Sequence, residues 1–85
     1  MSRKSKLLQK VLNSPRNIQF NEMVRLSESF GFHLARIKES YHIFSHPDIP
    51  ELVNLQNVKG NAKPYQIQQF MQLVERYDLK LGDDS

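Results

Sequence analysis

Eighty-five residues make one small domain, burying roughly 60–65% of the surface exposed by the unfolded chain, which excludes a cofactor domain paired with a substrate domain. No cysteine is present, which excludes a disulfide framework, a thiolate zinc site and a cysteine nucleophile. The net charge of +3 is lopsided: residues 1–38 carry eight Lys/Arg against two acids, while residues 39–85 carry four against seven, so a polyanionic partner, nucleic acid first, stands against plain solvated charge.

In chain order, Leu7, Leu8, Val11 and Leu12 fall at helical spacing and predict a first helix over residues 3–12. Pro15 stops it, because proline disfavours α geometry at Ser14. A second helix is expected from an N-cap at Asn21, with Phe20, Met23, Val24, Leu26, Ser27 and Phe30 as its apolar stripe and Gly31 as its stop. The period then changes to that of strands. Residues 32–38, 41–46 and 51–56 predict a three-stranded antiparallel meander, with Glu39-Ser40 as a turn and residues 47–50 as a loop. Residues 59–64 read as a basic loop into a last helix that starts at Pro64 and runs to about Leu79, with Ile67, Phe70, Met71, Val74 and Tyr77 on one side. Residues 80–85 are expected to fray. The result is an α+β domain of order α-α-β-β-β-α with the helices on one face of the sheet. Apolar runs of two or three residues predict no membrane span, and the basic N-terminus lacks the apolar stretch of a signal peptide, so a cytoplasmic location is expected.

The chemistry-bearing inventory is short. The histidines are His33, His42 and His46. His42 and His46 are four apart, a metal-ligand spacing on a helix but not on a strand, and no cofactor or metal is expected. Strand alternation puts Tyr41, Ile43 and Ser45 on one face and His42, Phe44 and His46 on the other. Ile43 is expected to meet the helices, leaving His42, Phe44 and His46 on the open face. Lys59 and Lys63 flank Gly60 just before a helix start, where free N–H groups and the helix dipole favour anions. Asn54 and Gln56 offer amides on the third strand.

The stretch Phe30-Gly31-Phe32-x-Leu34-x-Arg36-x-Lys38-Glu39-Ser40-Tyr41-His42-Ile43-Phe44-x-His46-Pro47 resembles the HicA toxins of prokaryotic type II toxin–antitoxin systems. Asn54-Leu55-Gln56, with Lys59-Gly60-x-Ala62-Lys63-Pro64-Tyr65-Gln66-Ile67, resembles a longer subgroup of that family, and the likeness runs from about Phe20 to Leu79. The resemblance implies a core over residues 20–79 with a fold like the double-stranded RNA-binding domain. It also implies metal-independent endonucleolytic cleavage of mRNA and neutralisation by a HicB-type antitoxin protein. The family histidine follows Gly-Ser-x, which carries over to His42. The serine is kept as Ser40, and Glu39 replaces the glycine. With Lys38, Ser40, Phe44, Lys59 and Lys63 as RNA-binding residues, the expected activity is that of an mRNA interferase with one catalytic histidine. A carboxylate at Glu39 repels phosphate by on the order of 1–4 kcal/mol, which implies a weak enzyme. The alternatives are a non-catalytic RNA-binding module and an inactivated toxin homologue acting through its protein partner.

Overall fold

The computed structural model describes residues 3–82. Helix α1 spans Arg3–Asn13, a single 3₁₀ turn spans Pro15–Asn17, α2 spans Phe20–Ser29 and α3 spans Pro64–Arg76. Strands β1 (His33–Lys38), β2 (Tyr41–His46), β3 (Ile49–Val58) and β4 (Asn61–Ala62) form one antiparallel sheet in that order. The α+β class follows from the element order. The sheet has four strands, however, where the sequence predicts three.

The extra strand arises in the basic loop. Lys59 and Gly60 both adopt positive φ (54° and 87°), the pattern of a type I′ hairpin turn, so the chain doubles back and Asn57 and Val58 pair with Ala62 and Asn61. The outer edge of β4 is taken by the segment before α2: the Ala62 amide donates to the Ile18 carbonyl at 3.0 Å, and the Phe20 amide donates to the Gly60 carbonyl at 2.9 Å. A two-residue strand carries too little alternation to be read from sequence. β3 likewise starts at Ile49, earlier than expected, because a two-residue turn at Pro47-Asp48 brings Ile49 opposite His46.

Helix ends follow local chemistry. α2 begins at Phe20, one residue before the expected cap at Asn21, because Glu22 reaches back to accept the Gln19 amide at 2.9 Å and fixes Gln19 as the N-cap. It ends in a Schellman motif at Gly31 (φ 96°), with the Gly31 amide donating to Glu28 and the Phe32 amide to Ser27. α3 stops at Arg76 by the same motif, with Asp78 (φ 49°) in glycine's place. The chain beyond it stays attached: Leu79 and Leu81 pack against the core, and the Gly82 amide donates to the Ser29 carbonyl at 2.7 Å. The fraying expected over residues 80–85 therefore does not hold at 80–82, while Asp83, Asp84 and Ser85 lie outside the described residues.

One core joins Val11, Ile18, Phe20, Met23, Leu26, Phe30 and Phe32 with Phe44, Val53 and Leu55 of the sheet and Ile67 and Phe70 of α3. The helices thus cover the face that presents Phe44, Val53 and Leu55. Burial of these side chains at about 25 cal/mol per Å² is the main stabilising term. No helix among the described residues is long and apolar enough to cross a membrane.

Candidate nucleic-acid interface and a candidate active histidine

The facing of β2 is the reverse of the sequence expectation. Phe44 is 1% exposed and lies in the core, opposite Val53, while His42 lies opposite Leu55. His42, Phe44 and His46 therefore face the helices, and Tyr41 and Ile43 face away. The register explains the reversal. β2 must set its apolar residues beside Val53 and Leu55 of β3, and those partners lie on the Phe44 side. Ile43 alone does not fix the face, because register with β3 overrides it. Phe44 consequently offers no stacking surface.

The three histidines occupy different environments. His33 is exposed on β1. His46 is bound at both ring nitrogens: the Asp48 amide donates to Nδ1 at 3.0 Å, which makes Nδ1 an acceptor, so Nε2 carries the proton and donates to the Phe30 carbonyl at 3.1 Å. Its ring also packs edge-on against Phe32. His46 is a structural clamp between the end of α2 and the β2–β3 turn. His42 is half-buried, its ring centroid 4.7 Å from that of Phe20 in an edge-to-face arrangement, and its Nδ1 is buried with no hydrogen-bond partner. Phe20 also bonds through its amide to Gly60, so the Lys59-Gly60 turn and His42 share one neighbour at the same end of the sheet.

Lys38 and Lys63 stand at the opposite face. Paired strand residues point the same way, so Lys38, Tyr41 and Gln56 form one row across the sheet, and Arg36, Ile43 and Asn54 form the next. The start of α3 stands beside these rows. Gln66, itself buried, accepts the Gln56 amide on its Oε1 at 2.8 Å, which satisfies the edge of β3 where no strand covers it. Between the sheet and α3 lies a groove of about 560 Å³ lined by Lys38, Glu39, Tyr41, Ile43, Asn54, Gln56, Lys63, Tyr65, Gln66 and Gln69. Gln56 Nε2 donates to Ser40 Oγ at 3.0 Å, and Gln56 Oε1 is buried without a partner.

Of the expected RNA-binding residues, Lys38 and Lys63 line this groove and Ser40 bonds to its wall, while Lys59 sits at the β3–β4 turn outside it. His42 and Phe44 lie on the other side of the sheet. Tyr41 and Tyr65 are wall residues that sequence reasoning passed over as candidate site residues. The signal for Tyr41 was its place in the Tyr41/Ile43 alternation, with the face misassigned. Glu39, in the two-residue turn between β1 and β2, has φ 57°, in the left-handed region that favours glycine.

Two carboxylates outside the groove have depressed pKa values. The Tyr77 hydroxyl, donating to Glu51 at 2.7 and 2.9 Å, holds the Glu51 carboxyl below its ordinary value, and Arg76 at 3.1 Å adds to this. Burial pushes Glu22 up, but the Gln19 amide and the Lys10 ammonium at 2.9 Å outweigh it and leave Glu22 lowered. Both are structural ties. Among the described residues no group of three or more His, Asp or Glu is placed to hold a metal ion.

Comparison with protein-family models, with curated proteins and with solved structures gives no match.

Proposed function

We propose that this chain is a HicA-like toxin: a metal-independent endoribonuclease that cleaves mRNA with His42 as its proton-transfer group and is neutralised by a HicB-type antitoxin. In this reading the segment from α2 to α3 is a fold of the double-stranded RNA-binding-domain type, with α1 as an addition. The observation that carries it is the contrast among the histidines. His46 spends both ring nitrogens on the backbone, whereas His42 is held by packing and keeps a buried Nδ1 unspent. An unmet buried polar atom costs about 1–3 kcal/mol, a cost more readily accounted for at a reacting group than at a structural one.

RNA brings its own nucleophile. The 2′-hydroxyl oxygen attacks the adjacent phosphorus, the P–O5′ bond breaks, and the products are a 2′,3′-cyclic phosphate and a 5′-hydroxyl. One proton leaves the 2′-oxygen and one arrives at the 5′-oxygen. An imidazole can carry either transfer, and one such acid–base group contributes typically 10²–10⁴-fold. Lys59 precedes Gly60, whose carbonyl accepts the amide of the Phe20 that packs on His42, and in this reading it is the cation that offsets phosphate charge there. Loss of metal-free cleavage in His42→Ala, with RNA affinity kept, is the test.

A second reading, an RNA-binding module or a silenced toxin acting through its protein partner, is favoured by Glu39, whose carboxylate lines the groove. RNA binding by well-folded parent protein without cleavage products would select it.

A further inference from the structure

The groove on the open face lies across the sheet from His42 and is not absorbed by the cleavage chemistry. We propose that it is a track for single-stranded RNA, on which bases stack against Tyr41 and Tyr65 while Lys38, Lys63 and Arg36 neutralise phosphates. The proposal rests on the RNA reading above and names the form of RNA and the surface that holds it.

Four observations support it. Five phenylalanines and three tyrosines make up the aromatic set, and all five phenylalanines are buried. Tyr77 is partly buried and bonded to Glu51. The two exposed aromatics, Tyr41 at 38% and Tyr65 at 62%, both line this groove. Second, the floor is apolar and shut: Ile43 is buried yet stands outside the core cluster, which is the condition of a residue covered by the groove walls. Third, the rim is cationic. Lys38 and Lys63 line it and Arg36 shares the face, against the single carboxylate of Glu39. Fourth, Gln56 Oε1 is a buried acceptor without a partner in the wall, beside the amides of Asn54 and Gln69. Exposed rings set among cations are the composition of a stacking platform, and amide side chains suit base edges, which only unpaired strands expose. A duplex keeps its base faces inside and would use the lysines alone.

The track also fits its position. Tyr41 and His42 are adjacent in β2 and point to opposite faces, and the Glu39-Ser40 turn closes that end of β1 and β2. In this proposal a strand held on the open face passes around that end of the sheet toward His42.

The experiment titrates a labelled eight-residue oligouridine, and a blunt RNA duplex of matched charge, against protein carrying His42→Ala, so that binding is read without cleavage. Tyr41→Ala and Tyr65→Ala should each weaken oligouridine binding about tenfold, Tyr→Phe at either position should restore it, and duplex affinity should change less than twofold. Lys38→Gln, which leaves the packing intact, should lower the slope of log K against log salt by about 0.7. Oligouridine affinity indifferent to both alanine variants and to Lys38→Gln would overturn the track, as would equal loss of duplex binding. Parent protein that cleaves RNA yet ignores these variants refutes the track alone. Binding that depends on the tyrosines, in a parent that does not cleave, refutes the nuclease reading alone.

Discussion

The ring of Phe20 meets the ring of His42 edge to face at 4.7 Å and 63°, and the Phe20 amide is bonded to Gly60 in the β3–β4 turn. Helix α2 thereby packs against the histidine whose buried Nδ1 has no hydrogen-bond partner.

Replacing Phe20 by Leu keeps the helix buried and removes this edge-to-face contact. Stability should fall by about 1–2 kcal/mol, the aromatic-pair term plus partial loss of burial. If His42 carries proton transfer, kcat should fall more than KM changes, because the misplaced ring loses its alignment before substrate loses its binding surface. Urea denaturation and steady-state cleavage read the two effects. A stability loss with unchanged kcat would show that Phe20 is only a core residue.

Glu39 pays for a left-handed φ of 57° that glycine would adopt freely. Relief of that strain, about 1 kcal/mol, is offset by the greater freedom of glycine in the unfolded chain, about 0.5–1 kcal/mol. Glu39→Gly should therefore leave stability within about 1 kcal/mol of the parent while tightening RNA binding and raising cleavage. Glu39→Val, with a β-branched side chain in that region, should destabilise. Chemical denaturation and RNA titration of the two variants check both signs.

Gly31 has φ 96°, and a Cβ added there would stand 2.9 Å from His46 Nε2. Gly31→Ala thus combines backbone strain with displacement of the His46 bond to the Phe30 carbonyl. A loss of about 2 kcal/mol or more is expected, read as a fall in Tm on the order of 10 °C. Gly60→Ala, where φ is 87° but the space is open, should cost less.

The Glu51–Tyr77 pair predicts an acid limb. The folded carboxyl pKa is depressed, so its contribution is present above the ordinary carboxylate range and is lost as pH falls through the folded value. Glu22 acts in the same direction in the same window. Tyr77→Phe removes the largest cause at Glu51, so the unfolding free energy of that variant should fall less steeply than the parent's on acidification. A parallel pH profile would contradict this role.

Much of the frame was legible in the sequence. Leu26, Ser27, Phe30, Ile67 and Phe70 sit where helical spacing puts them, and Gly31 ends its helix because its φ suits no other residue as well. Strand pairing decided what was not legible. β4 owes its existence to bonds from Ala62 to Ile18 and from Phe20 to Gly60, contacts between segments that no local pattern encodes. The facing of β2 was set by Val53 and Leu55 on the next strand. With both Ile43 and Phe44 buried, alternation within β2 could not choose between its faces. The side of the sheet on which His42, Phe44 and Tyr41 stand therefore follows from β3 and not from β2 itself. Lys38 and Lys63, picked for charge, share a groove, while Lys59 stands apart from them.

The central claim is that His42 transfers a proton during metal-free RNA cleavage. The direct measurement is cleavage of one mRNA in EDTA by the parent, His42→Ala and His42→Gln, with folding checked by circular dichroism and RNA affinity by titration. The account predicts cleavage by the parent, leaving 2′,3′-cyclic phosphate ends. Both variants should lose at least about 100-fold in rate while binding RNA within a few-fold of the parent. Equal cleavage by well-folded His42→Ala, or none by the well-folded parent, would contradict it.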